Sequence, residues 1–378
     1  MSEQSADRAA AAGDAQRARV ILDRVVVDQP DNPDLWIKLS AMCAATGDTS
    51  AALIAIERGL ALRPLDFSVL LHRALLLERL SDPRFGEAFG HALAQVPADD
   101  DVPPEMRSAL EHARRGWSDH QQALERTLSN AVPDDLPPDE RARIDRLITN
   151  VSRRTRTFHQ EPSNFHFPGL PEIEFHDPEL FGGLAALEAE TSVIRAEFDA
   201  LVDAEVAEMV PYIQYPDHIP LRQWAELNRS KQWTAIHLLQ NGQAVDVNAR
   251  HCPATLAAIG AMDQPSVTGA SPNVMFSLLA PNTRIPPHTG VSNTRLVCHL
   301  PLIVPPGCGF RCGATTIQWQ VGKAFVFDDT IEHEAWNDSD QLRVVLIIDL
   351  WPPALSAHAR RAVASVIEAN GADVMGQS

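Results

Sequence analysis

Two histidines, His288 and His333, stand 45 residues apart in strand-rich sequence. His288 lies in Pro286-Pro287-His288-Thr289-Gly290, and His333 in Phe327-Asp328-Asp329-Thr330-Ile331-Glu332-His333-Glu334. Ten residues past His333, Arg343 sits inside the apolar run 342–351. Neutral imidazole is a common metal ligand. A guanidinium in so apolar a strand is costly to bury without an anion to pair with. Together these residues point to a metal ion and a carboxylate-bearing co-substrate held side by side. The bland alternative for Arg343 is a structural salt bridge to Asp349 or a neighbour. Asp328 and Asp329 have two readings: they orient the ligand imidazoles through hydrogen bonds, or they form the turn before His333.

Strands must position this chemistry. From Asn273 on, the pattern is of short strands separated by Pro, Gly and Asn turns, at 274–279, 294–303, 315–319, 324–327 and 342–350. That spacing predicts an antiparallel sandwich. Upstream, a helix is expected over 184–209, and strand-like sequence begins near 231.

The first 130 residues read differently, as helices rich in Ala, Leu and Arg. Gly13-Asp14 recurs as Gly47-Asp48 and again as Ser81-Asp82, each 34 residues on. Pro30 recurs at Pro64, and Pro97 follows 33 later. Leu35, Trp36, Leu39, Met42 and Cys43 form one apolar stripe, and Ala52, Leu53, Ile56 and Leu60 a second. A period of 34 residues with a small residue between two helices resembles the tetratricopeptide repeat. Each such unit needs its neighbours to bury its apolar face, and the stack offers a concave surface suited to a polypeptide. Acidic, proline-bearing breaks at 98–105 and 132–140 precede expected helices at 104–130 and 137–155. The expected organisation is helical repeats over 1–130, a helical linker over 131–160 and a second domain over 161–378.

At 378 residues the chain has room for about two domains. A net charge of −18 argues against nucleic-acid or anionic-membrane partners, which call for a basic face. No apolar run approaches the about 20 residues of a membrane span. The polar start, Met1 to Arg8, lacks the order of a signal peptide. Five cysteines make an odd, low count for a disulfide scaffold. Cys308 and Cys312 are four apart, a spacing that would place them on one side of a strand as neighbours were one to form there. A reducing cytoplasm is the expected location.

The second domain resembles the aspartyl/asparaginyl β-hydroxylase family of iron(II)- and 2-oxoglutarate-dependent oxygenases, over roughly 160–355. The resemblance rests on ordered motifs. They are 165–171 (Phe-His-Phe-Pro-Gly-Leu-Pro), Trp233 with Asn241-Gly242, Cys252-Pro253-Ala254-Thr255, Pro287-His288-Thr289-Gly290 and Asn293-Thr294-Arg295-Leu296 with His299-Leu300. Trp319, Gly322, the segment around His333 and Asp349 follow. The resemblance implies a double-stranded β-helix, a jelly-roll or cupin-like fold, so that the chain as a whole is α+β and multidomain. It implies iron ligation by His288 and His333. Arg343 would pair with the distal carboxylate of 2-oxoglutarate, and Ser277 would hydrogen-bond it. His299 would approach the other end of the co-substrate, and Trp233 would lie near the site. Gly290 stands where many such oxygenases carry a carboxylate ligand, which leaves a two-histidine variant of the usual triad.

The implied activity is O2-dependent hydroxylation of an aspartyl or asparaginyl residue of a peptide or protein, with release of succinate and CO2. The repeats would recruit that polypeptide. Two departures fall in the substrate pocket. Val297 replaces an arginine that members acting on proteins often carry, and Pro352 replaces a histidine after Trp351. They keep open a small or carrier-bound substrate, such as a free amino acid or an acyl chain. A non-catalytic repeat scaffold is the third reading. Arg295 is a candidate for substrate contact, or else a solvent-facing strand arginine.

Overall fold

The computed structural model describes residues 2–97, 102–216, 218 and 220–371. Part of the expected break at 98–105 and the end of the second domain lie outside them. The chain divides into two compact units, Met1–Thr155 and Arg156–Ser378.

The first unit is helical. It comprises α1 (Glu3–Ala11), α2 (Ala15–Asp28), α3 (Pro33–Ala45), α4 (Thr49–Leu62), α5 (Phe67–Arg79), α6 (Phe85–Leu93), α7 (Arg107–Ser129) and α8 (Pro138–Val151). Each helix packs on the next, as a tetratricopeptide-like array does. The 34-residue period has a backbone cause. Gly13, Gly47 and Ser81 all adopt left-handed φ, at 79°, 83° and 53°. Each is followed by an aspartate whose side chain accepts a backbone N–H: Asp14 from Arg17, Asp48 from Ala51 and Asp82 from Arg84. In the first two repeats a left-handed residue ends one helix and a carboxylate caps the next, while Asp82 holds the turn before α6. Asn32 and Asp66, also 34 apart, cap α3 and α5. Leu22, Leu35, Leu39, Ala52 and Ile56 form one buried cluster, and Leu71, Leu77, Phe89 and Ala113 another. Gln121 on α7 donates to the Ser152 carbonyl just past α8, at 2.8 Å.

The second unit contains β1 (Phe175–His176), α9 (Leu184–Ala189), α10 (Thr191–Asp203), β2 (Val210–Pro211), β3 (Trp233–Gln240), β4 (Gln243–Ala244), α11 (Asp246–Ala249) and α12 (Pro253–Ile259). These are followed by β5 (Val274–Leu279), β6 (Thr283–His288), β7 (Leu296–Ile303), β8 (Cys308–Cys312), β9 (Thr315–Ile317), β10 (Phe325–Phe327), β11 (His333–Asn337), β12 (Arg343–Leu350) and α13 (Ala357–Asn370). The expected helix at 184–209 is broken at Glu190, where the Thr191 hydroxyl donates back to the Glu188 carbonyl. It ends at Asp203, before Glu205 turns left-handed at φ 52°.

One antiparallel sheet runs β1-β10-β7-β12-β5-β3-β2, with β4 paired to β3; a second runs β6-β11-β8-β9. The two-residue alternation of strands sorts the side chains. On β12, Val344, Leu346, Ile348 and Leu350 join a core with α9 and α10, through Leu187, Ile194 and Phe198. Val345 and Ile347 face the other way, into a core with Ile285, Phe310 and Ala335 of the smaller sheet. Arg343 and Asp349 share the parity of this second set. The same alternation puts Ser277 of β5 and His299 of β7 on that inner face. Helices thus cover one face of the larger sheet, and the other face bounds the site.

Candidate functional site

His288 ends β6 and His333 begins β11, and the two are direct partners in the antiparallel register. Their ring centroids lie 4.0 Å apart. Both imidazoles are oriented locally: His288 Nδ1 donates to the Pro286 carbonyl at 2.8 Å, and His333 Nδ1 to the Ile331 carbonyl at 3.1 Å. Each ring therefore turns its Nε2 lone pair away from the backbone. Burial pushes the His288 imidazole down to about 4, and the His333 imidazole well below its ordinary value. Both rings are neutral near pH 7, the form that binds metal.

The orienting groups are not Asp328 and Asp329, as one sequence reading had it. The Asp328 carboxylate accepts from Gln160, at 2.5 Å, and from the Thr330 hydroxyl and N–H. Asp329 faces Arg295. A backbone carbonyl two residues upstream holds each imidazole at lower cost than a buried carboxylate would.

Arg343 is 2% exposed. No carboxylate pairs with it among the described residues, and its Nε has no hydrogen-bond partner. Its nearest aromatic is Trp319, with the guanidinium carbon 5.3 Å from the ring centroid. Burial lowers its pKa to about 10. The salt bridge to Asp349, the bland alternative, is not made. Asp349 instead receives Arg295 at 3.2 Å, together with Ser271 and Asn273. A buried cation left without an anion is expensive, and its persistence argues for a missing anionic partner.

Ser277, Trp233 and His299 line the same cavity as His288, His333 and Arg343. The Trp233 indole donates to the Ser277 hydroxyl at 3.0 Å, which leaves that hydroxyl's own proton free to donate. His299 is 8% exposed, its Nδ1 has no partner, and burial together with Arg343 drives its pKa well below the ordinary value. Its ring lies parallel to Trp319, with centroids 5.7 Å apart.

Arg295 is 7% exposed, so the solvent-facing reading is wrong. It is held between Asp329 at 3.1 Å and Asp349 at 3.2 Å. Burial, opposed by Arg295 and aided by Asp328 and Asp349, pushes the Asp329 carboxyl up to about 7. Sequence reasoning missed this clamp. It also missed Tyr212, stacked on Trp233 at 3.8 Å, and Trp224, edge-on to His288 at 5.0 Å. The signal for Asp349 was present: it shares strand and parity with Arg343. Tyr212 and Trp224 lie in a stretch of little regular structure and carried none.

Gly290 has a steric reason to be glycine. A Cβ built there would run into the Asp329 carboxylate, and the Gly290 N–H donates to the Asp329 carbonyl at 2.7 Å. We expect Gly290→Ala to cost about 1–3 kcal/mol of stability through overpacking. Thermal unfolding of the purified variant measures this, and an unchanged midpoint would mean that Asp329 is not seated there. By the same reasoning Gly290→Asp should fail to supply a third ligand, because its side chain has nowhere to enter.

The thiols of Cys308 and Cys312 are free and buried, and they do not pair. Cys308 donates to the Asn337 side chain and Cys312 to the Asp328 carbonyl. No helix among the described residues is long and apolar enough to cross a membrane.

The family model for aspartyl/asparaginyl β-hydroxylase matches residues 188–353. Human aspartyl/asparaginyl β-hydroxylase is 34% identical over 142 residues, covering 37% of this chain and 18% of that protein. Human aspartate β-hydroxylase domain-containing protein 2 is 30% identical over 214 residues, covering 54% of each. The ornithine lipid ester-linked acyl 2-hydroxylase of Rhizobium tropici is 32% identical over 199 residues, 52% of this chain and 66% of that one. The chain thus spans under a fifth of the first relative's length, about half of the second and 66% of the third. The matched segment contains both histidines, Arg343, Ser277 and Trp233 in the arrangement described. The segment 188–353 of this chain belongs to the aspartyl/asparaginyl β-hydroxylase family.

Proposed function

We propose that the chain is an iron(II)- and 2-oxoglutarate-dependent hydroxylase, with O2 as oxidant and succinate and CO2 as co-products. The observation that carries this reading is the buried, unpaired Arg343 on the cavity wall shared with two neutral, backbone-oriented imidazoles. The inward-facing two-sheet core is read as a double-stranded β-helix, and the residues present fit both groups. His288 and His333 would hold iron(II) through their Nε2 atoms. Arg343, with the Ser277 hydroxyl, would hold the distal carboxylate of 2-oxoglutarate. When bound, iron and 2-oxoglutarate supply oxidative decarboxylation coupled to C–H hydroxylation.

The chain's own residues position and exclude. Trp233 fixes the Ser277 hydroxyl for donation. His299, kept neutral, would face the other end of the co-substrate without adding a second positive charge beside Arg343. The aromatic group of Phe310, Trp319, Phe325 and Phe327 packs around His299 and keeps water from that end. Asp329, seated against Gly290, blocks a side chain there.

The leading substrate is an aspartyl or asparaginyl residue of a peptide or protein, recruited by the helical repeats. The second reading is a small or carrier-bound substrate, such as an acyl chain. Val297 on the cavity wall favours it, as does the likeness to a lipid acyl hydroxylase. Buried free thiols fit a reducing, cytoplasmic location.

A chain beginning at Arg156, first shown by circular dichroism to be folded, separates the two substrate readings. It should keep substrate-independent 2-oxoglutarate turnover and lose about tenfold or more in specificity constant for a polypeptide substrate, as loss of a tethered docking site implies. An unchanged specificity constant would assign the repeats to stability or assembly and put the small-molecule reading first.

A further inference from the structure

The cavity has a charge arrangement that bears on what it accepts. Two arginines line it, Arg343 and Arg295. Arg343 is without a carboxylate and, on the hydroxylase reading, is taken by 2-oxoglutarate. Both Nη atoms of Arg295 are already paired, although its buried Nε has no hydrogen-bond partner. Its Nη2 lies 3.1 Å from Asp329 Oδ2 and its Nη1 3.2 Å from Asp349 Oδ1. Asp349 is fixed in turn, because its Oδ2 accepts from the Ser271 hydroxyl at 3.1 Å and from the Asn273 N–H and amide at 2.9 Å each. The clamp therefore cannot swing aside without leaving buried donors unpaired. A substrate carboxylate arriving here would meet two carboxylates around one guanidinium. It would gain little from Arg295 and be repelled by Asp349 and by the ionised fraction of Asp329.

The rest of this wall is uncharged. Gln214, Gln240, Asn241 and Asn273 line it with amide groups, and Val297 and Met275 add apolar surface. The Asn241 side-chain oxygen is buried and has no partner. Such a wall matches groups that donate and accept hydrogen bonds without carrying charge.

We propose that the substrate arm of this cavity selects an uncharged hydrogen-bonding group, such as a carboxamide, against a carboxylate, and that the Arg295 clamp by Asp329 and Asp349 sets that choice. The inference rests on the hydroxylase reading and narrows it: of an aspartyl and an asparaginyl side chain, the arm takes the second.

The test is calorimetry on the full chain loaded with manganese(II) and 2-oxoglutarate. It is titrated in parallel with N-acetyl-aspartic acid amide and N-acetyl-asparagine amide. Wild type should bind the asparagine probe more tightly than the aspartate probe. Asp349→Asn and, independently, Asp329→Asn release Arg295. Each should raise the aspartate-over-asparagine preference by about tenfold, the scale of one regained charge-assisted contact. A change in charge preference is not the signature of general loosening, and either variant alone suffices if the other fails to fold. Equal affinity for the two probes, or a preference for the aspartate probe, in wild type overturns the proposal. So does an unchanged preference in the folded variants, including the case where neither probe binds any form. Failure of the hydroxylase reading shows separately, as absence of 2-oxoglutarate binding before either probe is added.

Discussion

His288→Ala and His333→Ala should each reduce 2-oxoglutarate-dependent succinate formation to the level of protein-free iron. In the proposed site two imidazoles are the whole protein ligand set. Gly290 contributes no side chain, and the space beside it is filled by Asp329, which is held by Arg295. Neither variant therefore has a carboxylate in reserve. His333 is 8% exposed and packs against Phe310 and Phe327, so its removal also leaves a cavity. Circular dichroism and the thermal midpoint must show a folded protein before activity is read. Succinate formation that persists unchanged in either folded variant would remove that histidine from the iron site.

Arg343→Ala should weaken 2-oxoglutarate binding by roughly 2–5 kcal/mol, which is about 30-fold or more, and leave the metal affinity of the protein without co-substrate nearly unchanged. The co-substrate carboxylate would be left in a buried place without its partner. Folding could move the other way. The unliganded protein carries an unpaired buried cation whose pKa is already lowered to about 10, so its removal should cost little stability or even raise it. A variant that loses 2-oxoglutarate affinity while keeping its thermal midpoint separates this role from a structural one. An affinity within a factor of about three of wild type, under about 1 kcal/mol, would place Arg343 outside the site.

The sequence disclosed the larger sheet better than the smaller one. Strands β5, β7, β10 and β12 lie within expected segments, because central strands buried on both faces read as apolar runs. β6, β8 and β11 were not foreseen as strands, although they belong to the sheet that carries both histidines. β6 holds Pro286 and Pro287, which argue against a central strand. It is an edge of its sheet, where a missing N–H is tolerated. β8 contains Gly309, packed beneath the Trp336 ring, and β11, His-Glu-Ala-Trp-Asn, is only five residues long and shows no polar–apolar alternation although its burial alternates. The repeats were legible through Gly13-Asp14 and its echoes, because a left-handed residue followed by a capping carboxylate is a local requirement that tertiary packing does not override. The Arg295 clamp was not legible. It joins residues 34 and 54 positions apart on different segments, and only the parity of Asp349 with Arg343 hinted at a shared face.

One binding measurement bears most directly on the claim that metal and co-substrate are held side by side by His288, His333 and Arg343. Equilibrium titration of 2-oxoglutarate into the full chain under argon, with and without iron(II), reads the coupling between them, which must be the same in both directions. The expected result is one 2-oxoglutarate per chain, bound much more tightly with iron than without. That metal-dependent increment should vanish in His333→Ala, and binding itself should weaken about 30-fold or more in Arg343→Ala. Equal 2-oxoglutarate affinity with and without iron, in a wild-type chain shown to bind iron, would contradict the assignment.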